Sequence, residues 1–148
     1  MTTLSTVESI DRIVETFEFL DDWEARYQYL IELGEQLPPM SDELKTEQSW
    51  VKPCMSTVHV EARRDLLDPQ LIQFTGDCDT AIIKGVLALL IDLLSNLSLE
   101  KIQEMDVDGL FKRLRLEEHL SPNRHVGIYA IVDKMVERAA VASSANKP

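Results

Sequence analysis

"LIQFTGDCDTAIIKGVLALLIDLL", residues 71–94, contains the change of periodicity on which the fold turns. Leu71 to Gly76, after an Asp68-Pro69 turn, reads as a strand. From Asp79 to Leu94 the apolar residues Ile82, Ile83, Val86, Leu87, Leu89, Leu90, Leu93 and Leu94 cover almost every face of a helix, which is the pattern of a helix buried all round. The longest apolar run, "GVLALLI" at 85–91, is cut by Asp92 and falls far short of the roughly 20 residues that span a bilayer. It is core.

Outward from this stretch, Ser49 to Val51 and Ser56 to Arg63 are both strand-like. In the second, Val58, Val60 and Ala62 alternate with Thr57, His59, Glu61 and Arg63. With 71–76 they predict a small three-stranded antiparallel meander. Before it, Val7, Ile10, Ile13, Val14, Phe17 and Leu20 recur at helical spacing. Trp23, Tyr27, Leu30, Ile31 and Leu37 do so again after an Asp21-x-x-Glu24 start signal. Gly34 and then Pro38-Pro39 stop this second helix, and "SDELKTEQ" allows one short turn of helix. After the buried helix, Ser98 opens a short helix through Met105 and Asp108 another through Leu114. Ser121-Pro122, an N-cap with Pro at N1, launches a long helix through about Ala140. The order is helices, meander, helices: an α+β fold in one domain, 1–148, with a frayed tail from about residue 141.

Fifteen Lys and Arg against 26 Asp and Glu give a net charge of −11, which repels nucleic acid and anionic membranes. The N-terminus lacks a basic n-region and an apolar h-region, so no signal or transit peptide is expected. Two cysteines, Cys54 and Cys78, are too few for a disulfide framework; a reducing, cytoplasmic setting is expected.

Pro53 cannot donate to a strand neighbour and biases Lys52 toward extended backbone, so the ladder breaks there. Cys54 follows immediately, at a tip where a thiol can be presented to another protein; as a small hydrophobe it can equally well be buried. A nucleophilic thiol wants positive potential nearby, because at its reference pKa of about 8.5 only a few per cent is thiolate at neutral pH. Arg124 and His125, in the first turn of the last helix, concentrate such charge where the helix dipole opposes it. Pairing of Arg124 with a surface acid is the alternative. Asp77 and Asp79 fit the N-cap and first turn of the central helix, or bracing of the cysteine loop. A metal site would need Cys54, Cys78, an Asp and one of His59, His119 or His125 to converge, and no pair has close ligand spacing. No Gly-rich phosphate loop or nucleophile elbow occurs.

Four ordered stretches, "DDWEARYQYLIELGEQLPP", "VKPCMSTV", "GDCDTAIIKGVLALL" and "EHLSPNRHVGIYAI", resemble the SufE/CsdE family of sulfur-acceptor proteins over roughly Phe17 to Met135. The resemblance implies an IscU-like fold with a small antiparallel sheet packed on helices. It implies an accessory protein rather than an enzyme, whose Cys54 accepts persulfide sulfur from a SufS/CsdA-like cysteine desulfurase, stimulates that enzyme and passes sulfur to an iron-sulfur scaffold complex. Asp77 matches the acid of the family's G-D-S-D segment and supports the loop; Arg124 matches a late arginine that contacts the thiolate or the partner. The chain needs no cofactor or metal of its own, since pyridoxal phosphate belongs to the desulfurase, and it acts as a monomer or homodimer. The different class kept beside this reading is an IscU-type iron-sulfur or zinc scaffold, which typically needs three cysteines. The chain departs from the family at Pro53, usually Gly, at His59, usually aromatic, and at Cys78, usually Ser. Cys78 is expected buried against the central helix, beyond disulfide reach of Cys54.

Overall fold

Alternation in the two longer strands becomes a hairpin. Strand β1 (Val58–Arg64) pairs antiparallel with β2 (Leu71–Cys78), from Val58 opposite Cys78 to Arg64 opposite Ile72. The computed structural model of the protein describes residues 6–52, 56–116 and 122–144, and of 6–9 and 122–125 the backbone alone. Val58, Val60, Ile72, Phe74 and Cys78 share the buried face of the hairpin, while His59, Glu61 and Asp77 lie on the other.

The central helix is α3 (Ala81–Leu94), with eight buried residues as its all-round apolar pattern requires. Helix α2 (Trp23–Glu35) covers one side of it and β2 the other. Two glycines permit these approaches. A Cβ on Gly85 would sit 2.0 Å from the carbonyl oxygen of Leu30, so α2 and α3 touch backbone to backbone there. A Cβ on Gly76 would come within 2.9 Å of the His59 carbonyl and 3.1 Å of Leu87. Helix α1 (Thr6–Phe19) adds Ile13, Val14 and Phe17 to the core, and the Arg26 Nε donates to the Phe17 carbonyl at 2.7 Å, closing the end of α1. The N-cap of α2 is Asp22, which accepts from the Ala25 N–H at 2.7 Å, one residue after the expected Asp21.

Beyond α3 come β3 (Leu97–Ser98), α4 (Leu99–Glu104), α5 (Val107–Arg113) and α6 (Pro122–Ser144). The strand order is β1-β2-β3, so the sheet has the expected three antiparallel strands, but the third is not the expected one. Ser49–Val51 makes only an isolated bridge, Trp50 opposite His59, because a turn in which the Trp50 N–H donates to the Glu47 carbonyl curls the chain just before it. The third strand is Leu97–Ser98, on the opposite edge beside β2, and its Ser98 also caps α4 by accepting from the Lys101 N–H. Asn96 reaches β3 through a left-handed φ of 65°.

Ile128, Ile131, Val132, Met135 and Ala139 make the buried stripe of α6, which lies along β1. Arg138 grips Glu61 with two bonds, at 2.8 and 3.1 Å. The Arg64 guanidinium donates to the carbonyls of Ala142 and Ser143, which carries α6 on to Ser144, past the Ala140 suggested by the sequence.

Candidate functional site

Cys54, with Pro53 and Met55, lies outside the described residues, as do His119 and the side chains of Arg124 and His125. The backbone of Arg124 falls in the first turn of α6. What the structure describes is the chain on either side of residues 53–55, and both sides are anchored.

On the N-terminal side, Val51 is fully buried and donates to the Val58 carbonyl at 2.9 Å, while the Val60 N–H donates to the Ser49 carbonyl at 2.8 Å. The sequence did not single out Ser49, which is the anchor of this side. Buried completely, its hydroxyl donates to the Leu44 carbonyl at 2.7 Å, accepts from the Thr46 N–H at 3.0 Å and lies 3.1 Å from His59 Nδ1. A hydroxyl has one proton to give, and the short bond to Leu44 takes it. With that proton on Leu44, the contact is completed by the His59 tautomer that carries its hydrogen on Nδ1. The Ser49 N–H returns a bond to Thr46 Oγ1 at 3.3 Å, so Thr46-x-x-Ser49 is a reciprocal box of the kind that starts helices; that spacing is the signal from which Ser49 can be found.

The C-terminal side is tied to the turn between β2 and α3. Asp79 Oδ1 accepts from the Thr57 N–H at 3.0 Å, the Asp79 N–H donates to the Thr57 carbonyl at 3.2 Å, and the hydroxyls of Ser56 and Thr80 meet at 2.6 Å. Asp79 thus ties Thr57 to the β2–α3 turn rather than capping α3, which is preceded by Thr80 without a side-chain capping bond.

Asp77 stands opposite His59 on β1. It pairs with Lys45 at 2.9 Å and Lys84 at 3.4 Å and accepts from the Cys78 N–H at 2.8 Å. Partial burial, the largest single influence, opposes its ionisation, but the Lys45 bond, the Cys78 N–H and the charges of both lysines together hold the carboxyl below its usual range. Lys45 is raised in turn, first by its bond to Asp77. His59 and Asp77 thus fasten the 44–49 segment to the outer face of the hairpin at two adjacent points, and that segment leads into the Cys54 loop.

Cys78 is buried, and its sulfur accepts from the Thr80 N–H at 3.4 Å. Among the described residues no three His, Cys, Asp or Glu side chains gather to hold a metal ion. Beside the loop, Trp50 is 41% exposed with the Lys52 ammonium 5.7 Å over its ring, and Lys52 also pairs with Glu47 at 2.9 Å. A groove of about 440 Å³ runs from here to Ala130 and Lys134 of α6.

Helices packed on a small three-stranded antiparallel sheet, with the chain on both sides of residues 53–55 tied to the hairpin, define the architecture. The SufE profile, described as an Fe-S metabolism associated domain, matches residues 11–139, and the chain belongs to the SufE family. It is 35% identical over 139 residues to an uncharacterized SufE-like protein of Rhizobium etli, covering 93% of each chain. An uncharacterized SufE-like protein of Rhizobium meliloti is 35% identical over 133 residues, covering 88% of this chain and 94% of the relative. The solution structure of a hypothetical protein from Thermus thermophilus superposes with a TM-score of 0.73 at 23% identity, covering 90% of this chain and 95% of that one, and so shares the fold. Family membership associates the chain with Fe-S metabolism. Among the described residues no helix is long and apolar enough to cross a membrane.

Proposed function

We propose that this protein is a sulfur carrier, an accessory of Fe-S metabolism in which Cys54 takes sulfane sulfur from the persulfide of a cysteine desulfurase and passes it to iron-sulfur assembly. The observation that carries this reading is the family match over residues 11–139, which spans Cys54, Asp77 and Arg124. In the transfer step the Cys54 thiolate attacks the outer sulfur of the donor persulfide. The new S–S bond forms as the old one breaks, the outer sulfur keeps its proton, and the donor cysteine leaves as thiolate with no net redox change. The pyridoxal phosphate that generates the donor persulfide belongs to the desulfurase.

Anchoring of both flanks supports this role, because a transfer loop must be presented at a fixed place while its middle enters another protein's active site. In this reading Asp77 is a positioning residue acting through Lys45, Arg124 supplies positive potential to the thiolate or meets the desulfurase, and Trp50 and Lys52 lie on the face that the desulfurase approaches. Intact mass after incubation with a desulfurase and cysteine tests it: the wild type should gain the mass of added sulfur, and a Cys54→Ser variant should not. Equal sulfur loading of both proteins, or purification with stoichiometric zinc or iron, would overturn the carrier assignment.

A further inference from the structure

A cavity of about 320 Å³ lies among α1, α2 and α3 and is lined by none of the residues placed in the sulfur-transfer site. Ile13, Leu33, Leu37 and Leu89 give it apolar walls, and Tyr29, Gln36 and Asp92 bring polar groups to it. We propose that it binds a small organic cation, an ammonium head on an apolar body of roughly six carbons.

Its volume lies at the lower end of small-molecule sites, which run from about 300 to 1,000 Å³, and a few polar groups among apolar walls are their usual composition. Charge decides the class of ligand. Among the described residues no ion pair or hydrogen bond engages the Asp92 side chain, although lysines and arginines elsewhere pair with acids. An ammonium group would donate to that carboxylate and to the Gln36 carbonyl oxygen, with the Tyr29 ring beside it, while a carboxylate ligand would be repelled. The net charge of −11 raises the local concentration of cations in the same sense. Tyr29 reports the field inside the cavity. Burial first, and then the charge of Asp92, push its phenol above the usual value, against a bond from Thr16 that lowers it. A cation seated on Asp92 offsets the second influence, so Tyr29 should ionise at lower pH when the site is filled.

The inference is independent of sulfur transfer and is tested on the full chain by amide NMR titration with hexylammonium, hexanol and hexanoate. Hexylammonium should shift the amides of α2 and α3 around the cavity, hexanol more weakly and hexanoate not at all. Asp92→Asn, at an exposed position where water screens the charge, should weaken hexylammonium about three- to fivefold and leave hexanol unchanged, the factor expected of one exposed ion pair. Ala88→Met, which fills the cavity, should abolish both responses, and thermal melts report whether each variant is folded. If Ala88→Met does not fold, Asp92→Asn decides alone. Equal responses to the three probes, a hexylammonium preference that survives Asp92→Asn, or no shifts at the cavity would each overturn the proposal.

Discussion

At its open end the β1–β2 hairpin is held by residues brought from far along the chain: Asp79 on Thr57, Thr80 on Ser56, Ser49 on His59 and Lys45 on Asp77. At its closed end the turn is held by its own residues, while Arg64 and β3 tie the strands beside it to α6 and to the sheet edge. Asp65 Oδ2 accepts from the N–H groups of Leu67 and Asp68 at 3.0 Å each, Gln73 donates to Asp65 Oδ1 at 3.1 Å, and the Asp65 N–H donates to the Leu71 carbonyl at 2.9 Å. Of these bonds, that from the Asp68 N–H is the largest reason the Asp65 carboxyl sits below the usual range. A local turn needs only its own residues and forms whenever the hairpin does. The open end exists only when the 42–49 segment, the sheet and the central helix have all come together, so its geometry depends on the whole fold. In the proposed function that is the end bearing the transfer loop, and the comparison says which substitutions should separate stability from activity.

The sharpest separation is at Cys54. Cys54→Ser should abolish sulfur uptake while leaving the melting temperature unchanged, since one atom is exchanged at nearly constant volume. Loss of folding in that variant would mean that the thiol holds the loop rather than serves it.

Ser49→Ala should have the next largest effect and act on both properties. It removes a fully buried hydroxyl that links Leu44, Thr46 and His59; because the Thr46 N–H also donates to the Leu44 carbonyl at 3.0 Å, those two groups keep a partner, and the cost is about 1 kcal/mol. Chemical denaturation measures the loss, and sulfur loading of the folded fraction should also fall, because the N-terminal flank of the loop is released. Asp65→Ala, at the closed end, should destabilise less and leave loading per folded molecule intact. Equal losses of loading from the two variants would break the distinction between the ends.

This difference also explains what could be read in the sequence. The alternation at Val58, Val60 and Ala62, the all-round apolar pattern of Ile82 to Leu94 and the turn at Asp68-Pro69 are local signals, and hairpin and central helix follow them. The ordered motifs around Cys54, Asp77 and Arg124 carry the family by residue type and order alone, without any geometry. Partnerships that close only in three dimensions were not legible. Asp77 reads from its neighbours as a helix cap or as a brace of the cysteine loop, and its place on β2, paired with Lys45, was in neither reading. Ser49–Val51 has strand-forming residues, yet the Thr46-x-x-Ser49 box turns the chain before a ladder can extend, and a two-residue strand at Leu97–Ser98 is too short to show periodicity.

Acid should loosen both ends, the open one through Asp77. A carboxyl held below its unfolded value contributes stability that is full above about pH 3.9 and is lost as pH falls through the lower folded value. Asp77 is such a group, so denaturation curves should lose stability below about pH 4, and Asp77→Asn should flatten that acid limb. Asp65 adds to the same limb from the closed end. An acid limb unchanged in Asp77→Asn would show that its ion pairs with Lys45 and Lys84 do not persist in solution.

The smallest effect is expected at the tip itself. Leu66 and Leu67 are 88% and 97% exposed on a turn whose shape is set by Asp65 and not by their side chains. Removing an apolar side chain that water already surrounds forfeits almost no burial, so the double substitution Leu66→Ser and Leu67→Ser should change stability by less than about 0.5 kcal/mol and leave sulfur loading untouched. Dilution sharpens the measurement. Were the leucines covered by a second copy in solution, the loss would be larger and would disappear as protein concentration falls, because a contact between chains stabilises by mass action. A concentration-independent loss well above that bound would mean that the tip packs against its own chain, and the closed end would then depend on the fold as the open end does.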